Sequence, residues 1–142
     1  MKHNRFHLAG AVPWRMTKDG LEILLITARD RPLDNENFWW IVPQGGVEPG
    51  QTAQEAAIAE TWEEGGVRGV ASEEPIARYE YDIGAGRCKV DIFEIEVEVV
   101  EDDWPESHER RRVWLSPEDA LETISGHTLR GILKEFLKRM KN

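Results

Sequence analysis

"PQGGVEPGQTAQEAAIAETWEEGGV", from Pro43 to Val67, decides how this chain is read. It follows a short apolar run, "FWWIVP" (Phe38–Pro43), and opens on Gly45 and Gly46. Thr52 and Glu55 have the spacing of a capping box, in which the hydroxyl accepts from a backbone amide and the carboxylate reaches back. Ala53, Ala56, Ala57 and Ala59 are strong helix formers. Gly65 and Gly66 supply a stop. The pattern predicts a helix over Ala53–Glu64 behind a glycine turn.

That helix ends in Glu60, Glu63 and Glu64. Residues four apart on a helix lie about 40° from each other and about 6 Å along the axis. Glu60 and Glu64 therefore share a face, with Glu63 beside them. The four residues before Glu60 carry no lysine or arginine, and Arg68 comes only after the helix. Negative charge is also disfavoured at the C-terminal end of a helix dipole. A solvated acidic face is the simplest explanation of a bare E-x-x-E-E. The preceding strand and glycines favour another: a turn that lets backbone approach a ligand, set beside a helix of carboxylates, makes a cradle for a metal-bound pyrophosphate. Hard oxygen donors suit Mg²⁺ or Mn²⁺.

Outward from this stretch the chain alternates between strands and helices. Strands are predicted at Phe6–Trp14, ending at Pro13, and at Leu21–Arg29, where branched residues follow the turn signal "KDG". Others are predicted at Ile76–Asp82, at Lys89–Val100 with its alternating "EIEVEV", and at "RVWL" (Arg112–Leu115). "RPLDNEN" (Arg31–Asn37) and "EDDWPESHERR" (Glu101–Arg111) read as polar loops. "SPED" (Ser116–Asp119) starts a helix, and Thr128–Met140 presents Leu129, Ile132, Leu133, Phe136, Leu137 and Met140 on one face. The order implies an α/β fold, a mixed sheet with helices packed on it, in one domain spanning residues 1–142.

Composition narrows the partners. The 142 residues carry a net charge of −9. That argues against general nucleic-acid binding, which depends on lysine and arginine neutralising phosphates, and against an anionic membrane surface. Cys88 is the sole cysteine, so no intrachain disulfide forms. No signal-peptide core or run of about 20 apolar residues is present. The expectation is a cytoplasmic protein. His3, His7, His108 and His127 lack metal-ligand spacing, and Trp39, Trp40, Trp62 and Trp114 read as core packing, with Trp104 in the charged loop.

The central stretch resembles the Nudix box, G-x5-E-x7-R-E-U-x-E-E-x-G-U, where U is a bulky aliphatic residue. Gly45, Glu60, Glu63, Glu64, Gly66 and Val67 match it; Gln51, Ala59 and Thr61 depart from it. "WWIVPQGGVEPGQ" and "EDDWPESHERRRVWLSPEDAL" are similar to the diphosphoinositol polyphosphate phosphohydrolase branch of that family. The resemblance covers most of the chain. It implies a Nudix-type α/β/α sandwich and Mg²⁺- or Mn²⁺-dependent hydrolysis of a phosphoanhydride bond. The implied substrate is a small-molecule polyphosphate, either a diphosphoinositol polyphosphate or a dinucleoside polyphosphate. Another nucleoside diphosphate derivative, or a non-catalytic binding module of the same fold, are the alternatives.

Residue by residue, the resemblance makes Glu60 and Glu64 metal ligands, adds the Gln44 backbone carbonyl, and makes Glu63 the general base, with Glu106 or Glu109 as alternatives. Gly45, Gly46, Thr27, Arg29, Arg110, and Arg87 or Lys89, become candidate substrate contacts, since guanidinium groups suit phosphate. In the resembled pattern the residue at position 59 is an arginine that orients a box glutamate. With Ala59 here, either another residue supplies that cation or Glu60 relies on metal and packing.

Overall fold

The computed structural model describes residues 4–29 and 38–141, with the side chains of residues 4 and 5 left aside. The loop read at Arg31–Asn37, and His3, lie outside the described residues. Two long strands organise the rest. β1 (Asn4–Thr17) runs parallel to β7 (Gly86–Val100), from Asn4 opposite Gly86 to Trp14 opposite Glu96. Along β1 lie two antiparallel neighbours in tandem, β4 (Gln44–Gly46) and then β2 (Gly20–Thr27). Along β7 lie β6 (Ala77–Asp82) and then β5 (Val67–Ala71), also antiparallel. β3 (Trp40–Ile41) and β8 (Arg112–Leu115) pair with β2. The result is an eight-stranded mixed sheet among the described residues.

Three departures from expectation have local causes. β1 passes through Pro13 and continues to Thr17. Ala11 donates to the Pro43 carbonyl on the β4 edge, so the Pro13 nitrogen, two residues on, faces the same edge. There it falls between Gly10, where pairing with β4 ends, and Trp14, where pairing with β2 begins. The missing N–H costs no ladder hydrogen bond at such a gap. The glycine segment is not a sharp turn: Gln44–Gly46 is a short strand, and neither Gly45 nor Gly46 has positive φ. β5 escaped prediction because "VRGVA" is short and interrupted by Gly69. The register shifts between Arg68 and Gly69, and the Glu96 carbonyl occupies the place a Gly69 Cβ would need.

Helices cover both faces of the sheet. α1 (Ala53–Gly65) has the expected capping box: Glu55 N–H donates to Thr52 Oγ1 at 3.0 Å and Thr52 N–H to Glu55 Oε1 at 2.8 Å. It ends on Gly66 in the left-handed region, φ 70°. Its buried side is Ala56 and Ala57, against Ala9, Ala11, Phe93 and Ile95 of the sheet. Small residues on both sides bring helix and sheet close together. The opposite face carries α2 (Pro117–Thr123) and α3 (His127–Met140), over a core that includes Val12, Ile23, Leu25, Val90, Ile92, Leu133 and Phe136. This is the expected α/β/α arrangement.

The tryptophans expected in the core divide. Trp40 does pack against the larger core. Trp39 is 37% exposed, while Trp62 and Trp114 lie under the guanidinium groups of Arg68 and Arg15. Thr61, where the resembled pattern has an aliphatic residue, is fully buried and its hydroxyl has no hydrogen-bond partner. Because the unpaired hydroxyl is desolvated without compensation, Thr61→Val is expected to stabilise the protein by about 1 kcal/mol. Chemical denaturation of the two proteins side by side checks the sign.

Candidate active site

The acidic end of α1 is not left to the helix dipole. Its last carbonyls each receive a donor from the segment 101–112, a distant part of the chain. Glu106 N–H donates to the Glu63 carbonyl at 3.1 Å and Trp104 Nε1–H to the Glu64 carbonyl at 3.1 Å. Arg112 Nη1 donates to the Gly65 carbonyl at 2.9 Å, and Glu101 N–H to the Gly66 carbonyl at 2.9 Å. The Arg112 guanidinium also lies 3.9 Å over the Trp104 ring. Orphan carbonyls and negative dipole end are thus satisfied together. A side chain on Gly66 would run into both Arg112 and Trp104, so this close approach as well as the positive φ calls for glycine. Sequence spacing gave no sign of this cap, because its donors lie about 40 residues downstream.

A second arginine of the same segment enters the acid cluster itself. Arg110 is 7% exposed; its Nη2 lies 3.2 Å from Glu64 Oε2 and its Nε 2.7 Å from Glu106 Oε1. Its Nη1 donates to the Thr27 carbonyl at 2.9 Å. One guanidinium therefore ties together α1, the loop and the end of β2. The other oxygen of Glu64 accepts from Gln44 N–H at 3.0 Å. Both carboxylate oxygens of Glu64 are held, which fixes its orientation. Arg110 was expected as a substrate contact; here it is committed to Glu64, Glu106 and Thr27.

Electrostatics single out Glu60 and Glu64. Burial pushes Glu64 up from 4.5 to about 8; Arg110 and the Gln44 amide pull the other way, while Glu60 and Glu106 add to the rise. Glu60 is also raised, first by burial, then by Glu63, with Glu106 adding to it. Buried carboxylates crowded this way are short of positive charge. A divalent cation would supply that charge, carboxylate oxygens being the hard donors that Mg²⁺ and Mn²⁺ take. Gly45 makes room for one of these acids: the Glu60 carboxylate fills the space a Gly45 side chain would occupy. Gly45→Ala is accordingly expected to displace Glu60 and to lower metal-dependent hydrolysis about 100-fold, while the exposed neighbour Gly46→Ala, which meets nothing, has a small effect; steady-state rates of both variants test this. Among the described residues no three acidic, histidine or cysteine side chains already form a closed ligand set, so the donors suit a cation by type and placement rather than as a preformed cage.

The remaining candidates separate by position. Glu106, 16% exposed, sits in the cluster; Glu109, 51% exposed, lies 3.7 Å from Arg29. The Arg29 Nη1 lies 3.5 Å from Glu106 at the rim. Thr27 is fully buried, and its hydroxyl accepts from Arg111 N–H at 2.9 Å. It holds the loop and offers no exposed surface to a substrate. Arg87 and Lys89 belong to a different place, a cavity of about 310 Å³ on the sheet that Phe6, His7 and Glu80 also line. The Arg87 guanidinium pairs with Glu80 at 3.2 Å and Asp82 at 3.0 Å. Beside it, buried Asp91 is held by His7 Nε2 at 2.7 Å and by Arg78. Burial alone would raise the Asp91 carboxyl, but the hydrogen bonds from Arg78 and His7 outweigh it and hold it below the usual range.

The chain is thus an α/β/α sandwich in which a capped acidic helix packs against a short glycine strand. The NUDIX domain family model matches residues 6–136, and the chain belongs to the Nudix hydrolase family, whose members act on pyrophosphate bonds. It is 32% identical over 161 residues to Nudix hydrolase 13, mitochondrial, of Arabidopsis thaliana, covering 96% of this chain and 76% of that one. It is 33% identical over 122 residues to diphosphoinositol polyphosphate phosphohydrolase 2 of Rattus norvegicus, covering 84% of this chain and 63% of the relative. Among solved structures, a C. elegans Ap4A hydrolase binary complex superposes with a TM-score of 0.77 at 26% identity, over 96% of this chain and 98% of that one.

Proposed function

We propose that the chain hydrolyses a phosphoanhydride bond of a dinucleoside polyphosphate of the Ap4A type, using Mg²⁺ or Mn²⁺ held by Glu60 and Glu64 with the Gln44 carbonyl. The observation that carries the choice of substrate is the state of four described arginines. Arg110 is taken by Glu64 and Glu106, Arg87 by Glu80 and Asp82, Arg78 by Asp91, and Arg29 faces Glu106 and Glu109. A densely phosphorylated inositol would have to break several of these pairs, on a chain of net charge −9. A dinucleoside polyphosphate carries less charge and brings bases. Near the end of β2, Phe38 lies beneath the Arg111 guanidinium and edge-on to Trp40, next to part-exposed Trp39. The similarity to an Ap4A hydrolase supports the same reading.

When bound, the cation neutralises phosphate oxygens and lowers the pKa of coordinated water. The chain does the rest. The backbone at Gly46, where nothing lies within 4 Å of the place a side chain would take, stays open to the phosphates. Arg110 and the Gln44 amide keep Glu64 oriented. Glu63, exposed on the same turn, takes the proton from the attacking water on its carboxylate; Glu106 is the alternative base. Glu63→Gln is expected to lower kcat about 100-fold or more with KM little changed, and Glu106→Gln to cost less; the reverse order would move the base to the loop.

Substrate choice is tested by a panel of Ap4A, a diphosphoinositol polyphosphate and simple nucleoside diphosphate derivatives, each with Mg²⁺ or Mn²⁺. The expected result is the highest kcat/KM on Ap4A. A higher value on the diphosphoinositol compound would favour the activity named for the rat relative. No turnover of any pyrophosphate would leave a binding module.

A further inference from the structure

On the sheet face opposite α1, a groove of about 610 Å³ runs between the turn of the β1–β2 hairpin, α2 and α3. Its apolar lining is Leu21, Leu121, Leu137 and Met140, with Met16 at its mouth. Met16 is 62% exposed, an unusual state for a large apolar side chain at the mouth of a concave apolar surface. The α3 side carries Lys134, Lys138 and Lys141, against a single acid, Glu118, on the α2 side. The chain has six lysines in all, so half of them stand at this one groove, in a protein of net charge −9. Lys138 has a neighbour in Glu135 at 3.8 Å, but the two side chains are 77% and 67% exposed, and such a pair is worth little. Nothing in the pyrophosphate reaction uses this surface.

We propose that the groove docks an acidic amphipathic helix of a partner protein. Charge complementarity selects the occupant. Lys134 and Lys138 on α3 and Lys141 at its C-cap lie four and three residues apart, so they form a cationic stripe about 10 Å long beside the apolar lining. A helix presents apolar side chains at i, i+4 and i+7 over the same distance, and an acidic flank on that helix meets the stripe along its length. Methionines at the floor and mouth adapt to different side chains. A planar anionic membrane would contact the lysines but would leave the concave floor unfilled.

The test uses the full chain and a fluorescein-labelled 15-residue helical peptide with leucines at i, i+4, i+7 and i+11 and glutamates along one flank. Fluorescence anisotropy is expected to give a micromolar Kd that weakens with added salt, and about 10-fold or more on Lys134→Glu/Lys138→Glu and on Met16→Glu. These are surface changes, and pyrophosphate hydrolysis by the variants is expected to match the parent. Amide shifts in a titration should concentrate at residues 16–21, α2 and α3. The proposal is overturned if the peptide does not bind at 100-fold above the expected range, or if a version with lysines in place of glutamates binds as well. It is also overturned if the variants bind the peptide as the parent does, or if anionic vesicles, but not the peptide, bind.

Discussion

Glu64→Gln is expected to remove hydrolysis, lowering kcat/KM by about three orders of magnitude, and to leave the fold intact. The geometry gives both halves. Glu64 is 6% exposed, with one oxygen on the Gln44 amide and the other on Arg110. Glutamine keeps the shape and one acceptor but removes the charge a divalent cation needs, so transition-state stabilisation by that cation is lost. Stability without metal moves the other way. The folded pKa of Glu64 is raised from 4.5 to about 8, so the folded state prefers the proton. The stability contributed by that preference is present below about pH 4.5 and is lost as pH rises through about 8. Glutamine cannot lose a proton, so metal-free Glu64→Gln should lose less stability than the parent between pH 5 and pH 9. Thermal unfolding across that range, beside an activity assay, reads both outcomes. A variant as active as the parent would show that Glu64 holds no catalytic cation.

Arg110→Ala is the second large effect, and it strikes stability and rate together. The side chain reaches Glu64, Glu106 and the Thr27 carbonyl. Its removal leaves largely buried Glu106 without its cation and takes the counter-charge from beside Glu64, and breaking a buried pair from one side costs about 3 kcal/mol or more. A fall in Tm of about 10 °C follows for a chain of this size. Activity is expected to fall about 100-fold, chiefly in kcat, because the loop and Glu64 lose their common tie. Arg110→Lys should recover part of the stability and little of the rate: one ammonium cannot span three acceptors in a fixed fork. If lysine restored the full rate, Arg110 would be acting as a simple counter-charge.

How much of this the sequence shows depends on how far apart the cooperating residues lie. The capping box at Thr52 and Glu55, the stop at Gly66 and the shared face of Glu60 and Glu64 are all encoded within a few residues, and they were legible. So was the apolar stripe of α3. The cap on the acidic end of α1 was not, because Trp104, Glu106 and Arg112 reach it by tertiary folding. Ala59 illustrates the limit. The missing cation was noticeable, and a replacement could be expected, but only the structure shows Arg110 against Glu64. The role of Gly45 was misread in part. Its value lies in the absent Cβ, whose space the Glu60 carboxylate occupies, and not in a turn. Pro13 and the β5 segment were missed because pairing partners, which decide whether proline or a bulge is tolerated, are not visible locally.

The central claim is that the buried acids at the end of α1 form a divalent-cation site, and it does not depend on which pyrophosphate is the substrate. Thermal unfolding of the metal-free protein during a Mn²⁺ titration tests it most directly, since a ligand bound by the native state alone stabilises it by mass action. The account predicts a saturable rise in Tm for the parent and none for Glu64→Gln. A parent protein whose Tm does not respond to Mn²⁺ or Mg²⁺, or a Glu64→Gln variant that responds equally, would contradict it.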